Sequence, residues 1–156
     1  MTQQYSIPKL NLNKIVVTGA TGFIGRRLVN CLASKDCDLL IFSRSNQEGF
    51  ETIVCDFESD FNVGDAFTEV NTIFHLAGFA HDLGDASKIE HKYRQVNLNA
   101  TVKLIELAAD QRVERFIFVS SVKAGVLPIE CKSMKEGDCD ISGSIYGQTK
   151  REAELK

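Results

Sequence analysis

A short apolar run, Lys14-Ile15-Val16-Val17, meets a turn with a glycine at every third position, Thr18-Gly19-Ala20-Thr21-Gly22-Phe23-Ile24-Gly25. A helical stretch follows, Arg26-Arg27-Leu28-Val29-Asn30-Cys31-Leu32. A strand that ends in a glycine-rich turn and opens a helix constrains this chain more than any other segment. Gly19 can take a turn conformation closed to other residues, Gly22 lets the backbone come close to an anion, and Gly25 lets the helix pack on the strand. Thr21, Phe23 and Ile24 fill the turn between them. The helix N-terminus adds unpaired N–H groups and the positive end of a dipole. The segment is therefore a candidate cradle for the pyrophosphate of a dinucleotide. Its G-x-x-G-x-x-G spacing is more open at the start than the commonest fingerprint. A structural turn that binds nothing is the plain alternative.

Strand-like and helix-like stretches alternate along the rest of the chain. Apolar runs at 39–42, 51–55, 72–76 and 115–119 read as further strands. Helical patterns fall at 63–70 (short), at 87–111 (long) and from Ser144 onward. Such alternation implies an α/β fold: a Rossmann-type, doubly wound parallel sheet of about five strands with helices on both faces. Its strands are continuous apolar runs, as a sheet covered on both sides requires. Ligands of such sheets bind outside the carboxyl ends of the strands, where the strand order reverses. That rule selects residues 19–24, Ser43 to Ser45, Asp56 and Phe57, Ala77 and Gly78, and Ser120 and Ser121.

Composition excludes several classes. At 156 residues, 44% hydrophobic and 25% charged, the chain suits one soluble domain over 14–156, with no run long enough to span a membrane. A net charge of −3 gives nucleic acid or an anionic membrane nothing to bind. Five cysteines (Cys31, Cys37, Cys55, Cys131, Cys139) form no C-x-x-C pair. Their odd number favours reduced thiols in a cytoplasmic protein over disulfides. The three histidines add no metal-ligand spacing, so no metal site is expected. His75 reads as a core histidine within a strand, whereas His81, Asp82 and Lys123 are candidates to border a substrate pocket. Residues 1–13 lack the apolar core of a signal peptide and are expected to form a disordered leader.

A second signal stands near the C-terminus, Tyr146-Gly147-Gln148-Thr149-Lys150. Residues four apart on a helix share a face, about 6 Å apart along the axis. An ammonium near a phenol favours the phenolate, and a tyrosine tuned this way can give or take the proton of a hydroxyl or carbonyl. A serine after the 115–119 strand can orient the same oxygen.

Together these segments resemble the extended branch of the short-chain dehydrogenase/reductase superfamily, the nucleotide-sugar epimerases and dehydratases. The matching stretches, in order, are TGATGFIG from Thr18, Asp56-Phe57, HLAG from His75, VNLNAT from Val96, FIFVSS from Phe116 and YGQTK from Tyr146. The resemblance implies that Tyr146 is the acid/base, and that Lys150 tunes it and bonds the nicotinamide ribose. It assigns Ser121 as the family's serine, with Ser120 the adjacent alternative. Asp56 would meet the adenine amino group with Phe57 beside it, while Leu76, Ala77 and Gly78 would lie against the cofactor. Asn97 matches an asparagine on the family's long helix; it serves the cofactor or is satisfied within helix packing.

NAD-binding chains carry an acidic residue about 20 positions beyond the glycines. Here Ser43-Arg44-Ser45 stands instead, and Arg44 can pair with a 2′-phosphate. The cofactor expectation is NAD(P), leaning to NADP. A nucleotide-sugar is the expected substrate of the full-length protein, and a homodimer through the 87–111 and C-terminal helices is the expected assembly. Family members are about twice this length, so the chain resembles their cofactor half, with poor turnover and a loosely held Tyr146–Lys150 pair expected near its end. The alternatives are an NADPH-dependent carbonyl reductase of the same superfamily, or a non-catalytic dinucleotide-binding sensor or scaffold.

Overall fold

Ile15, Val16, Val17 and Thr18 are fully buried, because β1 (Lys14–Thr18) is the central strand of the sheet. The computed structural model describes residues 14–35, 37–80, 86–125 and 143–156. Residues 1–13, His81, Asp82, Cys131 and Cys139 lie outside them. The strands are β1, β2 (Asp38–Ser43), β3 (Glu51–Val54), β4 (Thr72–His75) and β5 (Arg115–Phe118), and they stack in the order β3-β2-β1-β4-β5. All neighbouring pairs are parallel. From β1 the chain winds outward through β2 and β3, then returns to β4 on the other side. The order therefore reverses between β1 and β4, and their carboxyl ends open the crevice that such reversals leave.

Alternation of side chains along each strand splits the interior into two layers. Ile15, Val17 and Ile41 face Val29 and Leu32 of α1 (Phe23–Ala33). Val16, Leu40, Phe42 and Ile73 face the opposite layer, which holds Val96, Leu104 and Ala108. That layer is built by α2 (Ala86–Tyr93), a π-helical segment (Arg94–Asn99) and α3 (Ala100–Asp110), which run on as one long helix. The expected strands, sheet and long helix are all present, with boundaries that move by a residue or so. The final helix, α4 (Ile145–Glu154), starts where expected: Ser144 caps it by accepting from the Gly147 amide at 3.1 Å.

The short helix expected over 63–70 does not form. Three successive turns occupy it, with bonds from Ala66 to Val63, Thr68 to Asp65 and Val70 to Phe67. Gly64 and Glu69 both take positive φ, at 52° and 63°, which no α-helix tolerates. Gln111 supplies what a helix would have supplied: its Oε1 accepts from Phe67 N at 3.1 Å and its Nε2 donates to Gly64 O at 3.1 Å. Phe61, Val63, Phe67 and Val70 still point inward, at spacings that mimic a helical face.

Phe67 is fully buried and stacks on Phe42 with ring centroids 5.5 Å apart. Replacing Phe67 by Ala is expected to cost about 3–5 kcal/mol of folding stability. Urea denaturation checks this, as a lowered midpoint with an unchanged m-value.

Candidate active site

The turn after β1 is locked by two of its three glycines. Gly19 has φ +70°, and a Cβ there would lie 2.6 Å from the backbone nitrogen of Ala77. A Cβ on Gly25 would lie 2.1 Å from Gly19 O, so α1 packs directly on the turn that starts it. Gly22 differs. A Cβ there would meet only Gly19 O, at 3.2 Å, a tight approach to the backbone oxygen that accepts from the Gly22 amide at 3.0 Å. Gly22 is the N-cap of α1 with no side-chain capping bond, and the first turn carries no acidic residue. The first-turn N–H groups of α1 have no intrahelical acceptors. They therefore present a positive end toward the crevice.

That crevice, about 420 Å³, gathers most residues expected for a cofactor: Gly19, Thr21, Gly22, Ser43, Arg44, Asp56, Phe57, Leu76, Ala77 and Gly78. Phe23 and Ile24 stand on the first turn of α1, 72% and 57% exposed. Arg44 is exposed and holds no carboxylate among the described residues. Asp56 caps its own turn, accepting from Glu58 N at 3.0 Å, which leaves carboxylate lone pairs for a ligand. Phe57 is buried edge-on to Phe61 and borders the crevice from the core. Cys55, Phe79 and Val96 also line it. They are apolar wall, with no motif to signal them. Burial lifts the Cys55 thiol to about 11, so it stays protonated and inert at neutral pH.

Beneath the crevice runs a directed chain of hydrogen bonds. The Ala77 amide donates to Thr18 Oγ1 at 3.1 Å, and Thr101 Oγ1 donates to Asn97 O at 2.9 Å. Between them lies His75, its Nδ1 2.6 Å from Thr18 Oγ1 and its Nε2 2.9 Å from Thr101 Oγ1. Thr101 has a single proton and spends it on Asn97, so it must accept from Nε2–H. Nδ1 is then bare and accepts from the Thr18 hydroxyl. His75 is a neutral Nε2–H tautomer, as its burial demands: desolvation first, then the charge of Lys150, lower its pKa to about 3. The core-histidine reading of His75 holds.

Asn97, on the π segment, spends its whole amide inside the protein. Its Oδ1 accepts from Phe79 N at 2.7 Å, and its Nδ2 donates to Phe79 O at 3.0 Å and Thr149 Oγ1 at 3.2 Å. Of the two roles open to it, helix packing is the one these bonds describe. It ties the loop after β4 to α4.

At the far end of β5 the other group of expected residues meets. Lys150 is 3% exposed, donates to Val119 O at 2.8 Å and lies 3.9 Å from the centroid of the Phe118 ring. Against the expectation of a loosely held pair, a capped helix, a carbonyl and an aromatic face pin its lysine. Burial lowers its pKa to about 8, with Glu154 partly opposing. Tyr146 is half-buried beside Tyr93, rings 6.3 Å apart. Ser121 Oγ accepts from Lys123 N at 3.2 Å and keeps its proton to donate. Ser120 Oγ is buried and, among the described residues, has no hydrogen-bond partner, as is also true of Thr72 Oγ1 in the core. Thr18, Thr101 and Thr149 position this site but were not assigned roles from the sequence, because a buried threonine's bond depends on what folds against it.

A family model of the NAD dependent epimerase/dehydratase family matches residues 15–155. The chain belongs to this family. It is 33% identical over 149 residues to a UDP-glucose 4-epimerase of Vibrio cholerae, covering 90% of this chain and 44% of the relative. It is 30% identical over 122 residues to a 3-beta-hydroxysteroid dehydrogenase of Mycolicibacterium neoaurum, covering 72% and 33%. A solved structure of MoeE5 in complex with UDP-glucose and NAD superimposes with a TM-score of 0.80 at 30% identity, over 92% of this chain and 47% of that one. The chain thus spans less than half the length of these relatives. Among the described residues no helix is long and apolar enough to cross a membrane.

The His75 chain makes a pH prediction. The folded pKa lies below the unfolded one, so the unfolded chain binds the extra proton. Stability contributed by neutral His75 is complete above about 6.5 and is lost as pH falls toward 3. The loss is expected to be on the order of 4 kcal/mol across that window. Denaturant titrations from pH 7 to 4 check it; a His75→Gln variant is expected to be less stable at pH 7 and to show a flatter decline.

Proposed function

We propose that the chain holds a nicotinamide dinucleotide across the β1–β4 crevice and supplies the proton-handling residues of an epimerase, dehydratase or dehydrogenase acting on a nucleotide-sugar. One observation carries this reading. The carboxyl edge of the sheet carries an uncapped helix N-terminus after β1 and the pinned Lys150 after β5, on the same helix as Tyr146 and four residues beyond it. The fit is physical: the α1 terminus suits a pyrophosphate, the 420 Å³ crevice suits an adenosine, and the orphan hydroxyl of Ser120 suits a polar ligand at the reacting end.

A bound nicotinamide supplies the acceptor and donor of hydride. The chain's own residues manage the proton. Tyr146 is the acid/base that exchanges a proton with the substrate oxygen as that carbon is oxidised and reduced. Lys150, charged at neutral pH, would support Tyr146 in that exchange and bond the ribose of a bound cofactor. Ser121 donates its free proton to the same substrate oxygen, with Ser120 as the alternative donor. Gly19, Thr21, Gly22, Phe23, Ile24 and Gly25 form the pyrophosphate cradle; Asp56 and Phe57 meet the adenine; Leu76, Ala77 and Gly78 lie along the cofactor; Asn97 holds the loop behind them. Ser43 and Arg44, without a competing carboxylate at the strand end, favour the 2′-phosphate of NADP. The relatives act on substrates as different as a sugar nucleotide and a steroid. The nucleotide-sugar assignment rests on the UDP-glucose 4-epimerase and the UDP-glucose-bound MoeE5. A second copy is proposed to pair through the 87–111 and C-terminal helices, which Arg94 and Glu152 hold together at 3.0 Å, in a cytoplasmic protein.

In the full protein, Tyr146→Phe is expected to lower turnover by about 10²–10⁴-fold with cofactor affinity unchanged. A sensor or scaffold would lose nothing, and that result would refute the enzyme reading. Arg44→Ala is expected to cut the NADP-over-NAD preference by roughly tenfold or more, about 1.4 kcal/mol. Titration of both cofactors by fluorescence decides it, and an unchanged preference removes Arg44 from cofactor choice.

A further inference from the structure

The loop after β2 is organised by one side chain. Gln47 is half-buried between exposed neighbours, Asn46 and Glu48. Its backbone amide donates to Thr52 Oγ1 at 3.2 Å, and Thr52 Oγ1 donates in turn to Phe50 O at 3.1 Å, which fastens Gln47 to β3. Its side-chain Nε2 lies 2.9 Å from Ser45 O, 3.2 Å from Asn46 O, 3.1 Å from Ser45 Oγ and 3.3 Å from Ser43 Oγ. The carbonyls among these partners can only accept, so the amide is turned with its nitrogen toward the loop.

That orientation sets the direction of the Ser43 hydroxyl. Ser43 Oγ accepts from Nε2 of Gln47 and also from the Ser45 amide, at 3.4 Å. A hydroxyl oxygen has two lone pairs and one proton. With both lone pairs engaged, Ser43 has only its proton left to bond with, and none of the described residues accepts it. Ser43 lines the crevice beside Arg44, and its backbone is held where Cys55 N donates to Ser43 O at 2.9 Å. The charge of Arg44 does not by itself choose a cofactor, because Asp56 and Glu58 line the same crevice with the opposite sign. A free ribose 2′-hydroxyl calls for an acceptor of its proton, which the usual acidic residue provides. Ser43, held this way, offers none. A 2′-phosphate presents acceptor oxygens, and these suit a hydroxyl that can only donate.

We propose that Gln47 is a positioning residue for cofactor choice. By holding Ser43 Oγ as an obligate donor beside Arg44, it selects a dinucleotide phosphorylated at the 2′-oxygen over one with a free 2′-hydroxyl. This rests on the reading of the crevice as a dinucleotide site with Ser43 and Arg44 at its ribose end. It assigns the selectivity to the hydrogen-bond direction that Gln47 imposes, in addition to the guanidinium charge.

The test measures binding to the full protein by calorimetry. The ligands are NADP against NAD, and adenosine 2′,5′-bisphosphate against AMP as probes of the ribose end alone. The proteins are wild type, Gln47→Met (which keeps the side-chain length and loses the donors), Ser43→Ala, the double variant and Arg44→Ala. Wild type is expected to favour the 2′-phosphorylated member of each pair. Gln47→Met is expected to lower that preference by about tenfold, as loss of one hydrogen bond to a charged group would. It is expected to add little once Ser43 is Ala, because the two act as one unit. A merely structural role for Gln47 weakens both members of each pair alike, or adds fully in the Ser43→Ala background, and either result overturns the proposal. A preference lost in Arg44→Ala but intact in Gln47→Met removes Gln47 and leaves the 2′-phosphate reading standing. A wild type that prefers NAD and AMP overturns both. A Gln47-dependent preference in a protein without turnover upholds the proposal and counts only against the enzyme reading.

Discussion

The constraint on which the site depends is the approach of the β1–α1 turn to the end of β4, where a side chain on Gly19 would lie 2.6 Å from Ala77 N. Everything at the site is arranged around that contact. It brings the Ala77 amide onto Thr18, and through Thr18 onto His75, Thr101 and the carbonyl of Asn97. Two strands, the loop after β4 and the long helix are thereby tied at the point where the strand order reverses. The crevice floor is rigid because each member of that chain has one proton to give and one place to give it. A half-satisfied network in such a buried place would cost more than an apolar one.

The π-helical segment belongs to the same construction. Thr101 donates back to the carbonyl four residues earlier, a bond that competes with regular helix geometry. The wider turn places Asn97 where it can clamp Phe79 on one side and Thr149 on the other. Local helical irregularity of this kind tends to accompany function. Here it couples the cofactor side of the crevice to α4, and so to Tyr146 and Lys150, without either group touching the other's ligand. Lys150 adds its own link by holding Val119 O at the end of β5.

Charge is distributed unevenly around this frame. Paired cations decorate the outer faces, where exposed ion pairs contribute little to stability. In the crevice lining the signs are mixed: Arg44, which holds no carboxylate among the described residues, stands with Asp56 and Glu58, beside the positive end of α1.

Much of this was legible before any coordinates. Glycines at 19, 22 and 25, apolar strands at regular intervals and the 146–150 pair determine an α/β dinucleotide fold and its family. Their meaning is local: a turn needs positive φ, a strand needs a covered face, and residues four apart share a helix side. The 63–70 segment misled because its apolar spacing is helical while its backbone is not; Gln111, distant in sequence, takes up the bonds that decide the matter. The neutral tautomer of His75, the full commitment of Asn97 and the burial of Lys150 were decided only by tertiary structure. Each depends on a partner 18 to 57 positions away, and no periodicity encodes which hydroxyl or carbonyl a buried group will meet.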